Sequence, residues 1–149
     1  MKNLIIILGG PERNLLERIR FSEENLPLDS SDVLFTGFTD EYKFFLANAW
    51  ENLSSKDIRF VHSYDTWTNV KHTQSIWKEY EEIYIATEKY HGFRTKKLFK
   101  ILGRSDDINI YDTGGKEAIN AKLLCILYST RLSAWLMSII ARILHFNRQ

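Results

Sequence analysis

His91 and Arg94 stand three residues apart, a spacing that places two side chains on one face of a helix. One exchanges a proton near neutral pH, and the other is a permanent planar cation. In the first turn of a helix, beside its free N–H groups, such a pair suits an anionic ligand. Arg94 would clamp the anion and His91 would act as general acid or base. A structural role is the competing reading, with His91 capping a loop and Arg94 pairing with a surface acid. The residues around them bear on the choice.

Small polar residues recur just after short apolar runs. Gly9 and Gly10 follow residues 4–8. Thr36 and Gly37 end the run that begins at Val33. Ser63, Asp65, Thr66 and Asn69 follow residues 58–61. Thr87, His91 and Arg94 follow residues 83–86. Short runs rich in β-branched and aromatic residues read as buried strands. In a parallel sheet all these junctions fall on one edge, which is where open α/β proteins bind ligands. Glycines there let backbone N–H groups approach a ligand, and hydroxyls add further donors. Capping alone explains any one Ser, Thr or Asp at such a place. Four consecutive junctions are expected to line a single cleft.

The elements that must position these residues alternate along the chain. Residues 4–8, 33–36, 58–61, 83–86 and 108–111 are expected strands. Pro11 opens a helix to about Asn25, with Leu15, Leu16, Ile19, Phe21 and Leu26 inward. Asp40 caps a helix over residues 40–53. Asp65 or Thr66 caps another, with Val70, Thr73, Trp77 and Tyr80 inward. The helix carrying His91 and Arg94 has Phe93, Leu98, Phe99, Ile101 and Leu102 on its apolar side and stops at Gly103. The expected fold class is α/β: a Rossmann-like three-layer sandwich with a mainly parallel five-stranded sheet and a long C-terminal helical region. Residues 1–131 would form the Rossmann-like domain and residues 132–149 a helical extension.

Composition narrows the function classes. The 149 residues are 44% apolar and 13% aromatic, with a formal net charge of +1. The composition is globular, and the near-zero net charge argues against a general nucleic-acid or acidic-membrane binder. The single cysteine, Cys125, lies in an apolar run; it fits a reducing compartment and inert packing. Five apolar residues before Gly9 are too few for a secretory core, so a cytoplasmic location is expected. Gly9-Gly10-Pro11 lacks the spaced glycines of a dinucleotide fingerprint, and no acid occupies the usual ribose-binding place after the second strand. There is no P-loop and no Gly-x-Ser-x-Gly elbow. His62, Asp65, His72 and His91 match no standard metal spacing, so no metal is expected. Trp67 and Trp77 are expected in the core.

Ser63-Tyr64-Asp65-Thr66-Trp67-Thr68-Asn69, followed by Thr87 and Tyr90-His91-Gly92-Phe93-Arg94, resembles the YdcF, SanA and ElyC group of bacterial proteins, which share a domain of unknown function. The group's pattern is a glycine pair after the first strand and a Ser/Thr-Gly after the second. A Ser-x-x-Thr-x-x-Asn helix start and a Thr-Ser-x-x-His-x-x-Arg-like segment follow. Gly9, Gly10, Thr36, Gly37, Ser63, Thr66, Asn69, Thr87, His91 and Arg94 supply that pattern here. The chain departs from it at Thr68, where the group usually has Glu, and at Phe38 and His62. The resemblance implies a Rossmann-like fold and a phosphate-bearing or nucleotide-like ligand. It also implies a link to cell-envelope polysaccharide, peptidoglycan or lipid-carrier metabolism. Two classes follow: an enzyme acting on a phosphate or pyrophosphate group, or a non-catalytic module binding a nucleotide or S-adenosylmethionine.

The last stretch, residues 118–146, is rich in Leu, Ile, Trp and Met, but Lys122 and Arg131 interrupt it. No run reaches the ~20 apolar residues of a membrane span. Residues 119–128 should cover the sheet. Trp135, Leu136, Ile139, Ile140, Ile143 and Leu144, with Arg131, Arg142 and Arg148 alongside, suit a membrane-surface or homodimer contact. Packing back onto the domain is the alternative.

Overall fold

The computed structural model describes residues 2–145. Five strands form one sheet: β1 (Asn3–Leu8), β2 (Ser31–Gly37), β3 (Ile58–His62), β4 (Glu82–Thr87) and β5 (Ile108–Asp112). Every pairing is parallel, and the spatial order is β3-β2-β1-β4-β5. The chain builds outward from β1 to β3, then crosses back to place β4 on the other side of β1. That reversal leaves a crevice at the carboxyl ends of β1 and β4, the switch point of an open α/β sheet.

β1 shows why a continuous apolar run is needed. Leu4, Ile6 and Leu8 enter the core on one face, and Ile5 and Ile7 enter the core on the other. Successive strand residues point to opposite faces, so a strand covered on both sides must be apolar throughout. One face is covered by α1 (Glu12–Asn25), α2 (Thr39–Asn48) and α3 (Glu51–Ser54), through Leu15, Ile19, Phe45 and Leu53. The other is covered by α4 (Thr66–Lys71), α5 (Gln74–Trp77) and α6 (Lys89–Ile101), with α7 (Ala121–Leu127) and α8 (Arg131–Leu144) beyond. Val70, Trp77, Leu98, Phe99 and Ala134 join that core, and Trp67 lies within it. The fold is the three-layer α/β sandwich expected.

Several helix details differ from the sequence reading. The helix expected over residues 40–53 is two, broken where Ala49 takes an extended conformation. The break turns Leu53 into the core, and its N–H donates to Glu23 Oε1 at 2.7 Å. Trp50 and Leu46 are left outside. Asp40 is not the cap of α2; Glu41 Oε1 accepts the Phe38 N–H at 2.7 Å instead. Leu16 is exposed because α1 turns Leu15, Arg18, Ile19 and Ser22 inward. Phe93 is exposed because its neighbour Gly92 faces the sheet. Phe146 and Arg148 lie outside the described residues. Among the described residues no helix is long and apolar enough to cross a membrane.

Gly92 sets how closely α6 lies on the sheet. A Cβ at that position would meet Ile110 Cγ2 at 2.8 Å. Alanine is the better helix former by up to about 1 kcal/mol, but the clash is with a stiff β-branched side chain. Overpacking of this kind costs about 1–3 kcal/mol. Gly92→Ala should therefore lower the urea midpoint; an unchanged or raised midpoint would show that α6 can lift off β5 without loss.

Candidate functional site

The crevice at the carboxyl edge holds a cavity of about 160 Å³. Gly9 and Gly10 line it from β1, Gly37 and Glu41 from β2 and α2, Ser63, Thr66 and Asn69 from β3 and α4, and His91 and Arg94 from α6. Residues after four different strands thus meet at one site. Thr36 and Thr87 stand behind the wall, fully buried. Thr36 Oγ1 donates to Ser63 Oγ at 2.9 Å, and Ser63 in turn donates to Asn69 Oδ1. Thr87 Oγ1 lies 3.1 Å from His91 Nδ1.

Local sequence explains how each side chain is held. Asp65 is the N-cap of α4: its Oδ1 accepts the Thr68 N–H at 2.9 Å, and its Oδ2 accepts the Tyr128 hydroxyl at 2.5 Å. Burial and the Asp65 carboxylate push the Tyr128 pKa up, so this phenol stays a donor. Asp65 is therefore fully engaged, which fixes Thr66 at the first position of the helix and Asn69 one turn in. His91 lies in the first turn of α6, and Arg94 lies three residues on, on the same side.

Two residues that the sequence reading passed over organise this geometry. Arg18 comes from the inward face of α1 and is almost wholly buried. Its Nε donates to Glu88 Oε2 at 2.9 Å and its Nη2 to Glu88 Oε1 at 2.6 Å. Its Nη1 donates to the carbonyls of Leu8 and Gly9 at 2.7 and 2.9 Å. Asn14 Nδ2 adds a bond to Glu88 Oε1 at 2.8 Å. Burial alone would raise the Glu88 pKa, but the Arg18 guanidinium together with the backbone and Asn14 hydrogen bonds holds the carboxyl below its ordinary value. The sequence signal was present: Arg18 sits at helical spacing among Leu15, Ile19 and Ser22, and a charge on an inward face requires a buried partner.

Arg18 also decides the chemistry of His91. Its Nη2 lies 3.0 Å from His91 Nδ1. A guanidinium can only donate, so Nδ1 must be the acceptor and a neutral ring carries its proton on Nε2. Burial, then Arg94 and Arg18, push the His91 pKa well below its ordinary value, so the ring is neutral. The Nε2–H points toward Thr66 Oγ1 at 3.4 Å. Arg94 Nε donates to that same oxygen at 3.0 Å. With its lone pairs facing two donors, the Thr66 hydroxyl must send its own hydrogen elsewhere. In this geometry His91 is thus a hydrogen-bond donor at Nε2.

Arg94 is the unbalanced charge of the site. It is buried, its Nη1 has no hydrogen-bond partner, and among the described residues no carboxylate pairs with it. Burial works against its charge, and the neighbouring Cys125 and Tyr128 offset this only in part. The opposite wall carries Glu41. A Cβ on Gly9 would stand 2.7 Å from Glu41 Oε1, and one on Gly37 would stand 2.9 Å from it. These glycines make room for the protein's own carboxylate. Glu41 also brings an acid to the end of β2 from the first turn of α2, a place the sequence reading treated as empty. No group of three or more His, Cys, Asp or Glu among the described residues is placed to hold a metal. Compared with protein-family models and with curated proteins, the chain matches none.

The neutral His91 makes stability depend on pH. Unfolded, the residue takes a proton near pH 6.5; folded, it does so only far lower. Between those values the unfolded chain binds more protons, so stability falls as pH falls, by about 1.4 kcal/mol per unit. Urea titrations at pH 7.5, 6.5 and 5.5 should show this slope steepening below pH 6.5. His91→Gln should flatten it. A slope unchanged in His91→Gln would place the titrating group elsewhere, His62 being the next one whose pKa is lowered.

Proposed function

We propose that the crevice binds the anionic group of a phosphate-bearing or nucleotide-like small molecule on the Arg94 wall. The observation that carries this reading is the buried guanidinium of Arg94, whose Nη1 is unspent. A buried charge without a partner costs several kcal/mol, so such groups persist where a partner arrives. An oxyanion there would meet the Arg94 guanidinium and the Thr66 hydroxyl on one wall of the cavity, with His91 beside them.

The same residues support placing the chain near the YdcF, SanA and ElyC group, and with it a role in envelope polysaccharide or lipid-carrier metabolism. For an enzyme, the chemistry available is polarisation. A neutral imidazole donating from Nε2 stabilises developing negative charge on an oxygen. It is not poised to abstract a proton. This favours a binding function, or a transfer step in which the protein stabilises charge, over general-base catalysis.

Calorimetric titration with inorganic phosphate, pyrophosphate and nucleoside diphosphates tests the reading. Arg94→Ala should cost about 2–5 kcal/mol of anion affinity. The ligand-free variant should melt no lower than the parent, since an uncompensated buried charge has been removed. Thr66→Val should weaken binding by about 1–3 kcal/mol. A parent chain blind to every anion, with Arg94→Ala melting far lower, would make Arg94 a structural brace.

A further inference from the structure

We infer that α8 docks on an anionic membrane surface through its outward apolar face. Thr130 caps the helix, its Oγ1 accepting the Ser133 N–H at 3.1 Å. Small residues turn inward, with Ala134 and Ser138 buried on the side of α4. The large residues turn outward. Leu132, Trp135, Leu136, Ile139, Ile140 and Ile143 form a continuous exposed stripe, Trp135 at 51% and Ile143 at 70% of their surface. Isolated exposed apolar residues need no explanation, but a contiguous stripe of six marks an interaction surface.

Charge identifies the occupant. From Ala118 onward the sequence holds four basic residues and no acidic one. Arg131 and Arg142, both exposed, flank the stripe on the side of Trp135. Apolar face, flanking arginines and an aromatic at the boundary are the features of a helix lying in the headgroup region. A second copy fits poorly. Pairing α8 with itself, parallel or antiparallel, brings arginine beside arginine with no carboxylate to balance it. At 14 residues the helix is too short to span a bilayer, so it lies on the surface.

Docking would also orient the crevice. The Arg142 guanidinium stacks over the Tyr64 ring at 5.7 Å, and the His145 ring meets Phe38 at 5.6 Å. Phe38 and Tyr64 line the cavity, so the last turn of α8 adjoins its mouth. This inference stands whether or not the crevice binds an anion.

The test is co-sedimentation of the full chain with vesicles rich in phosphatidylserine and with vesicles of phosphatidylcholine alone. The chain should pellet with the first and stay largely soluble with the second. Arg131→Gln should weaken that binding by about fivefold. Ile139→Asp with Ile143→Asp should abolish it while leaving the melting temperature unchanged, as both positions are exposed. Three results would overturn the proposal: no pelleting with anionic vesicles; equal pelleting of the double variant; or a dimer in light scattering that the double variant dissociates, which would give the face to a second copy.

Discussion

The ion pair of Arg18 and Glu88 holds the functional edge of the sheet in place. Both groups are buried, and their attraction is set against a large desolvation cost. Geometry decides the balance. The guanidinium makes a two-point contact with the carboxylate and spends its remaining donors on the Leu8 and Gly9 carbonyls and on His91. The carboxylate gains Asn14 as well. One side chain from α1 thereby ties together the ends of β1 and β4 and the first turn of α6. Those are the elements on either side of the switch point. An apolar pair of equal volume could fill the space, but it could not set the tautomer of an imidazole.

The proton position on His91 carries that constraint into the cavity. Because Arg18 takes Nδ1, Nε2 must donate; because Nε2 and Arg94 both face Thr66, the threonine hydrogen must turn away from them. Three residues from three segments are oriented in sequence by the donor-only character of arginine. The opposite wall is built on another principle, in which glycines at the tips of β1 and β2 leave space that the Glu41 carboxylate fills. The two walls are thus built from different kinds of residue.

How much of this was legible in the sequence depended on range. The strands were readable because burial on both faces demands uninterrupted apolar runs, and all five lie within a residue or two of the expected bounds. The Asp65 cap was readable because capping is local. The clustering of Gly9, Ser63, Thr66, His91 and Arg94 followed from parallel topology alone. The break between α2 and α3 was hidden because tertiary demand on Leu53 overrides a helical period. Phe93 misled because aromatic character argued for the core while Gly92, with no side chain, took the inward place. Arg18 and Glu88 are 70 residues apart, and no local pattern announces such a partnership. Glu41 was missed because its side chain reaches back from α2 to the strand end.

The distribution of charge along the chain has a physical effect that its total conceals. Sixteen basic and nineteen acidic residues precede Ala118, and four basic residues with no acidic one follow. The molecule is nearly neutral, yet its two parts have opposite net sign, a separation of charge that gives it an electric dipole. A neutral dipole feels little net pull in a uniform potential, but it experiences a torque in any gradient. Within a Debye length of a charged boundary, about 8 Å at physiological salt, that torque turns the molecule before contact is made. Isoelectric focusing registers only the sum and is blind to this property, whereas dielectric relaxation or transient electric birefringence would measure it directly.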